Sequence, residues 1–98
     1  MQYFLVEGHV THPEKINPAL LAEHKAYTSQ LMAKGDMLFS SLRSNNAGSV
    51  NVVRAKSLEE IQAFYHQEPF YLQGVLTYTI SPLQVHYHAP QAESWFAE

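Results

Sequence analysis

The sequence contains no cysteine, which excludes disulfide frameworks, thiolate metal sites and thiol nucleophiles. Basic residues are also scarce: six Lys and Arg stand against nine Asp and Glu, and the net charge is −3. A chain of this charge lacks the basic surface with which proteins bind nucleic acid or an anionic membrane. No apolar run approaches the ~20 residues of a membrane-spanning helix. We therefore expect neither nucleic acid nor a membrane as a partner.

The length of 98 residues suffices for one modest core, and we expect a single domain over residues 1–98. Apolar residues make up 46% of the chain and charged residues 15%, a composition that excludes intrinsic disorder. The start of the chain has no basic segment and only a short apolar run, so we expect no signal peptide and a cytoplasmic location. The tail at 89–98 should be less ordered, except where Trp95 and Phe96 dock.

Periodicity and capping residues predict elements in the order strand, helix, strand, strand, helix, strand. Asn17 is a typical helix N-cap, and Ser57 with Glu60 forms a capping box at the second helix. Turn residues at 44–48 predict a hairpin between the second and third strands. Pro82 interrupts the last strand, which indicates a bulge or a sheet edge. The predicted helices are 18–34 and 57–67, and the predicted strands are 3–10, 37–42, 49–54 and 75–80, with alternation resuming at 83–87.

This order predicts an α+β fold of the ferredoxin-like βαββαβ type, with an antiparallel sheet and both helices on one face. The opposite face of the sheet would remain bare. Because the segments 3–6 and 37–39 carry apolar residues on both sides, that face should be partly apolar. A large exposed apolar patch is unusual for a soluble monomer. We therefore expect a homodimer that covers this face.

His24 is the most informative candidate for a functional residue. It shares a helical stripe with Leu20, Tyr27 and Leu31, so its side chain should point at the sheet. A histidine in this position can be a hydrogen-bonded structural residue, which is the commoner case. It can also be a general acid or base, because histidine changes its charge near neutral pH. An orienting carboxylate close to the ring would favour the second interpretation.

Glu68 is the second candidate. It precedes Pro69, which holds its backbone outside the helix, and it opens the apolar aromatic segment 69–72. A carboxylate in apolar surroundings can serve as a proton-transfer group. The alternative is a solvated glutamate at a helix end, and the sequence alone favours neither.

The chain resembles the YciI-like (YCII-domain) proteins, a branch of the dimeric α/β barrel superfamily, over nearly its whole length. The resemblance implies a ferredoxin-like fold assembled as a dimeric α/β barrel. It also implies an active site with a histidine and a carboxylate, which here are His24 and Glu68 as catalytic residues. Glu68 stands where the family usually has aspartate. The motifs that carry the resemblance are the opening 3–6, His24, the segment 31–38, the capping box 57–60, Glu68 to Phe70, and Gly74 with Val75.

We further expect Tyr27, Ser41 and Phe70 to contact a substrate in the cleft between the helices and the sheet. Aromatic rings suit a pocket for a small organic molecule, although core packing accounts for most of them. The segment 40–42 replaces a Gly-Pro pair often found in the family after the second strand. Leu21 replaces a basic residue often found three positions before the histidine. Both departures imply an altered substrate specificity.

The remaining histidines offer a second type of site. His86 and His88 lie two residues apart and, with His9 or His12, could bind zinc or another divalent metal. Two histidines without a fixed third ligand are a weak motif, and solvent-facing side chains are the commoner explanation. We expect no metal and no other cofactor.

Two functions are compatible with these residues. The first is a cofactor-independent enzyme that uses proton transfer for isomerase, lyase or dehalogenase-like chemistry on a small organic molecule, cyclic compounds included. The resemblance supports this class, because the superfamily includes isomerases and dehydrochlorinases. The second is a non-catalytic dimer that binds a small-molecule ligand or serves as an accessory or sensing subunit. An open cleft with His24 and Glu68 within hydrogen-bond distance favours the enzyme, and a cleft filled by side chains favours the binding module.

Overall fold

The computed structural model describes residues 1–97 and contains one four-stranded sheet with helices packed on it. The strands and the two long helices follow in the predicted order. No helix among these residues is long and apolar enough to cross a membrane. Glu98, the last residue of the predicted domain and tail, lies outside the described residues. The elements are β1 (Gln2–Val10), α1 (Pro18–Ala33), β2 (Met37–Leu42), β3 (Gly48–Ala55), α2 (Leu58–Tyr65), α3 (Pro69–Leu72), β4 (Leu76–Leu83) and α4 (Glu93–Phe96), with 3-10 turns at Pro13–Lys15 and Pro90–Ala92.

The four strands pair antiparallel in the order β2-β3-β1-β4. This order is that of a ferredoxin-like fold, and the predicted fold class and the hairpin between β2 and β3 are confirmed. β4 lies at one edge of the sheet, where Pro82 pairs with Phe4. Proline is tolerated at an edge because it has no amide hydrogen to donate, and no further strand lies beside the edge to accept one.

Side-chain caps fix the starts of both long helices, as predicted. Oδ1 of Asn17 accepts a hydrogen bond from the amide of Leu20 at 2.8 Å. Oγ of Ser57 accepts one from the amide of Glu60 at 3.1 Å. Each bond satisfies an amide that the first helical turn would otherwise leave unpaired. α1 is followed by Gly35, whose φ of 78° lies in the left-handed region that glycine adopts without strain.

The main core lies between the sheet and the long helices. Phe4, Val6 and Val53 contribute fully buried side chains from the sheet, and Ile61 and Tyr65 contribute theirs from α2. Burial of a large apolar side chain stabilises the folded state by about 1.5–3 kcal/mol relative to exposure. This packing holds α2, and the chain that leaves its end, at a fixed distance from the sheet.

Two parts of the chain differ from the prediction. The segment 69–72 forms a helix of its own, α3, with Pro69 at its first position, where a missing amide hydrogen costs no bond. The predicted continuation of the last strand over 83–87 is wrong, because β4 ends at Leu83 and residues 84–89 form no strand. Leu83 pairs with Tyr3, the second residue of β1. Because the two strands run antiparallel and β1 begins at Gln2, β1 has no residue beyond Gln2 with which the chain after Leu83 could pair.

The C-terminal segment packs on the sheet face that faces away from the long helices. Nε1 of Trp95 donates to the carbonyl of Gly35 at 2.7 Å, and the hydroxyl of Tyr3 donates to the carbonyl of Phe96 at 2.6 Å. The guanidinium of Arg54 lies over the Trp95 ring, 5.0 Å from its centre. These contacts tie α4 to the end of the sheet formed by β1 and β3.

Candidate active site

The structure brings His24 and Glu68 together. His24 lies in the middle of α1, on a stripe whose members Leu20 and Leu31 are buried. Its Nδ1 lies 2.9 Å from Oε2 of Glu68. Its ring also stacks on the ring of Phe70, with 3.8 Å between ring centres and an interplanar angle of 6°. The imidazole is thus held along one edge and one face, while 23% of the side chain remains exposed.

Glu68 is fully buried at the N-terminus of α3, so the alternative of a solvated glutamate is wrong. Its backbone is extended, with φ −71° and ψ 133°, as expected for the residue before Pro69. Oε2 accepts a second hydrogen bond from the amide of Phe70 at 2.7 Å, and Oε1 accepts one from the hydroxyl of Tyr78. Three donors, His24 among them, therefore satisfy a carboxylate that water does not reach.

Tyr78 belongs to the site although the sequence did not single it out. It lies on β4 opposite Gly8, where a methyl group would lie 2.7 Å from Oγ of Ser49 and 3.3 Å from the Tyr78 ring. Glycine therefore leaves room for both side chains over the sheet. Burial and the hydrogen bond to Glu68 raise the pKa of Tyr78, so its hydroxyl stays protonated and donates. The glycine opposite the tyrosine was the available signal, but it does not indicate the carboxylate partner.

Two tyrosines of the long helices are neutral for the same physical reason. Burial raises the pKa of Tyr27, and the charge of Glu68 adds to the effect. The Tyr27 hydroxyl donates to the carbonyl of Phe64 at 2.6 Å and so joins α1 to α2. Burial also raises the pKa of Tyr65 to about 12, although a hydrogen bond from Asn51 opposes part of that rise. Both phenols remain protonated over the whole physiological pH range.

The raised pKa of Tyr65 predicts that the protein loses stability at high pH. Tyrosine in the unfolded chain ionises near pH 10, whereas Tyr65 keeps its proton to about pH 12 in the folded protein. Between these values the unfolded state loses a proton that the folded state retains, so the free energy of unfolding falls by up to about 3 kcal/mol as the pH rises. Urea denaturation at several alkaline pH values measures this decline, which should be smaller in Tyr65→Phe. Equal declines would contradict the assignment.

A cavity of about 360 Å³ opens beside His24, between α1 and the strands β2 and β3. A second cavity of about 190 Å³ shares His24, Leu42 and Ser49 with the first. Three larger grooves, of about 510, 460 and 400 Å³, contain neither His24 nor Glu68. The space that a small molecule could occupy next to the imidazole is therefore the pair of cavities beside α1.

The three predicted substrate-binding residues have different positions. Phe70 lines the smaller cavity. Tyr27 lines neither cavity, since its hydroxyl is bonded within the helical layer. The prediction for Ser41 needs correction: Ser41 pairs with Val50 and faces away from the helices, whereas the adjacent Ser40 lines the larger cavity.

A β-bulge explains why Ser40 takes the position expected for Ser41. Met37 pairs with Val53, but Phe39 pairs with Val52, so β2 has one extra residue between these pairs. In a regular strand Met37 and Ser41 would share a face, because side chains alternate with a period of two. The extra residue shifts the alternation by one, which turns Ser40 toward α1 instead.

Residues 1–97 contain no group of three or more His, Asp or Glu side chains placed to hold a metal ion. His86 and His88 are exposed. His9 and His12 are each hydrogen-bonded to another side chain. Within the described chain the four histidines therefore do not converge on one site.

The model of the family described as "YCII-related domain" matches residues 1–84, from the start of the chain through β4. The chain belongs to this family. The match includes both His24 and Glu68, so the hydrogen-bonded pair lies within the family domain. No curated protein matches the sequence.

Two solved structures are similar to this YCII-domain protein. The first is 5-chloro-2-hydroxyhydroquinone dehydrochlorinase from Burkholderia phenoliruptrix in complex with 2,5-dihydroxybenzoquinone, with 18% identity, a TM-score of 0.64, and coverage of 84% of this chain and 93% of that one. The second is muconolactone isomerase, with 20% identity, a TM-score of 0.73, and coverage of 90% and 94%. At these identities the likeness concerns the fold alone.

The geometry of the YCII-domain site defines what His24 can do chemically. An ionised carboxylate only accepts hydrogen bonds, so Nδ1 carries the hydrogen toward Glu68 and Nε2 holds the lone pair of the neutral ring. Because His24 lines both cavities, a molecule in either one has access to the imidazole. Glu68 also lies where it can stabilise the positive charge that the ring gains when Nε2 takes up a proton.

Proposed function

We propose that this YCII-domain protein is a cofactor-independent enzyme that transfers a proton on a small organic molecule. His24 is the acid and base, and Glu68 positions its ring. The observation that carries the proposal is the 2.9 Å contact between His24 and the fully buried Glu68, beside an open cavity. Well-packed apolar side chains often replace a buried ion pair without loss of stability, so a buried carboxylate paired with a histidine at a cavity supports a chemical role. An open cleft also favours the enzyme over the binding module.

The reaction begins with neutral His24, whose Nε2 takes a proton from an acidic carbon of the substrate. The electron pair of the broken C–H bond forms a new double bond. In an isomerisation, His24 returns the proton to a different carbon, and the atoms of the product equal those of the substrate. In an elimination, the electron pair expels a leaving group such as chloride, and His24 passes the proton to water. General acid–base catalysis of this kind contributes about 10²–10⁴-fold to a rate.

The two similar structures supply the first compounds to test. Their names describe a dehydrochlorinase of a chlorinated hydroxyhydroquinone and an isomerase of a lactone. We propose that the substrates are oxygenated ring compounds similar in size to these two, and that the protein acts on them in the cytoplasm. Chloride release from 5-chloro-2-hydroxyhydroquinone and isomerisation of muconolactone, followed by ion chromatography and NMR, should show turnover that is lost in His24→Asn. Turnover of neither compound would contradict the proposed substrate class.

We also propose a homodimer joined through the part of the sheet face opposite α1 and α2 that α4, packed on Tyr3 and Arg54, leaves uncovered. Leu5, Val50 and Val52 lie half-exposed on this face, and the side chain of Phe39 is more exposed still. A second copy of the chain would bury these side chains against the same residues of its own sheet, since a twofold interface joins one patch to itself. The exposed apolar surface supports this proposal.

The dimer predicts a specific effect of a charge at Val52. Val52→Glu should give a monomer in size-exclusion chromatography with light scattering, because the interface would bury an unpaired carboxylate. Leu72→Glu is the matched control: Leu72 lies on α3 with 57% of its surface exposed, and its substitution should leave the dimer intact. A wild-type mass of one chain at micromolar concentration would contradict the dimer.

A further inference from the structure

Asn51 is a buried polar residue on the side of the sheet that faces the helices. It lies in the middle of β3, opposite Val6 of β1 and Ser40 of β2, and only 5% of its surface is exposed. Its position among apolar core residues requires an explanation, because a buried amide costs free energy unless both of its ends are hydrogen-bonded.

Only one end of the Asn51 amide has a partner. Nδ2 donates to the hydroxyl of Tyr65 at 3.2 Å. Oδ1 has none, and among residues 1–97 it is the only buried side-chain nitrogen or oxygen without a hydrogen-bond partner. A purely structural role, that of holding the Tyr65 hydroxyl, would account for Nδ2 and leave the acceptor unexplained.

The free oxygen belongs to a residue that lines the cavity beside His24. Asn51 and His24 both line the cavity of about 360 Å³. A cavity of about 150 Å³ already admits benzene, so this one has room for a single substituted ring. Since Oδ1 only accepts hydrogen bonds, a ligand that satisfies it has to donate one, as a hydroxyl group does.

We propose that Asn51 selects the substrate by accepting a hydrogen bond from a ring hydroxyl, while another polar group of the same ring contacts His24. Asn51 is then a specificity-determining residue, and the substrate class narrows to ring compounds with at least two oxygen substituents. This inference rests on the proposed function, because it concerns the molecule held in the same cavity.

The test compares ligands that differ by one hydroxyl. Catechol, resorcinol and hydroquinone each have a matched fluorophenol, in which fluorine replaces one hydroxyl at similar size and cannot donate. Titration of the wild-type protein by NMR without oxygen should give at least one dihydroxybenzene with an affinity about tenfold above that of its fluorophenol. In Asn51→Leu, which keeps the number and branching of the side-chain heavy atoms, the ratio should fall to about one while fluorophenol binding persists.

Tyr65→Phe is the matched control, because it removes the structural partner of Asn51 and leaves the free oxygen in place. The preference for the dihydroxybenzene should survive in this variant. The double variant Asn51→Leu/Tyr65→Phe contains no orphaned amide or phenol, so it replaces Asn51→Leu if that protein does not fold. No preference in the wild type, including no binding at all, or an unchanged preference after loss of Asn51, would overturn the inference.

Binding and turnover separate this inference from the proposed function. A protein that shows the Asn51-dependent preference but turns over no substrate contradicts the enzyme and leaves the recognition role intact. A protein whose turnover depends on His24, but whose ligand preference ignores Asn51, contradicts only the recognition role.

Discussion

His24→Asn should lower kcat for proton transfer by about 10³-fold with little change in stability. The amide nitrogen of asparagine lies close to the place of Nδ1 and can still donate to Oε2 of Glu68, so the buried carboxylate keeps its three donors. Asparagine has no atom in the place of Nε2, and the proton acceptor is therefore lost. Steady-state kinetics and thermal unfolding of the same preparation measure the two effects.

An exposed histidine–carboxylate pair provides the control for this substitution. His12 Nδ1 lies 3.1 Å from Glu14 Oε1, and more than half of each side chain is exposed. His12→Asn should leave kcat within a few-fold of the wild-type value, because an exposed pair of this kind is screened by water and contributes little. Retained activity in His24→Asn, or an equal loss in both variants, would contradict the role of His24.

Glu68→Gln should reduce both activity and stability. The glutamine side chain has one acceptor oxygen and one donor nitrogen, whereas Glu68 accepts from His24, from the Phe70 amide and from Tyr78. At least one of these donors then faces an N–H group, which costs about 1–3 kcal/mol in the buried site. If that donor is His24, the ring takes the other tautomer and Nε2 carries the hydrogen. We expect a loss of kcat of about 10²–10⁴-fold.

Glu68→Asp tests the length of the side chain separately from its negative charge. Aspartate keeps the negative charge and the N-cap of α3, but its carboxylate ends one methylene short of the present position. We expect kcat between those of the wild type and Glu68→Gln, and Glu14→Gln as surface control should match the wild type. Activity of Glu68→Gln within a few-fold of the wild type would show that the carboxylate does not act on His24.

The fold followed from local features of the sequence. Asn17 and Ser57 cap the long helices because short polar side chains satisfy first-turn amides, and this chemistry depends only on neighbours in sequence. The orientation of His24 likewise followed from helical spacing. The short helix α3 was missed because four residues are too few for a periodic pattern, although Pro69 at its start is typical of a first helical position.

The parts of the site that could not be predicted depend on pairing between strands. Ser40 replaces Ser41 in the cavity because of a bulge in β2, which alternation alone does not indicate. The register of β4 on β1 brings Tyr78 to Glu68. The register of β3 on β1 brings Asn51 to the cavity. The partner of His24 lies 44 positions away in sequence. It was found through the resemblance to the family, because spacing along the chain gives no indication of such a contact.

The most direct test of the central claim, that His24 moves a proton on a bound molecule, is deuterium uptake from solvent. 5-Chloro-2-hydroxyhydroquinone, whose ring hydroxyls can donate to Asn51, would be incubated with the protein in deuterium oxide without oxygen, and the carbon-bound hydrogens of the compound and its product would be followed by NMR. We predict that the wild type introduces deuterium and that His24→Asn does so at least about 100-fold more slowly. Uptake at the same rate with wild type, His24→Asn and buffer alone would contradict the account.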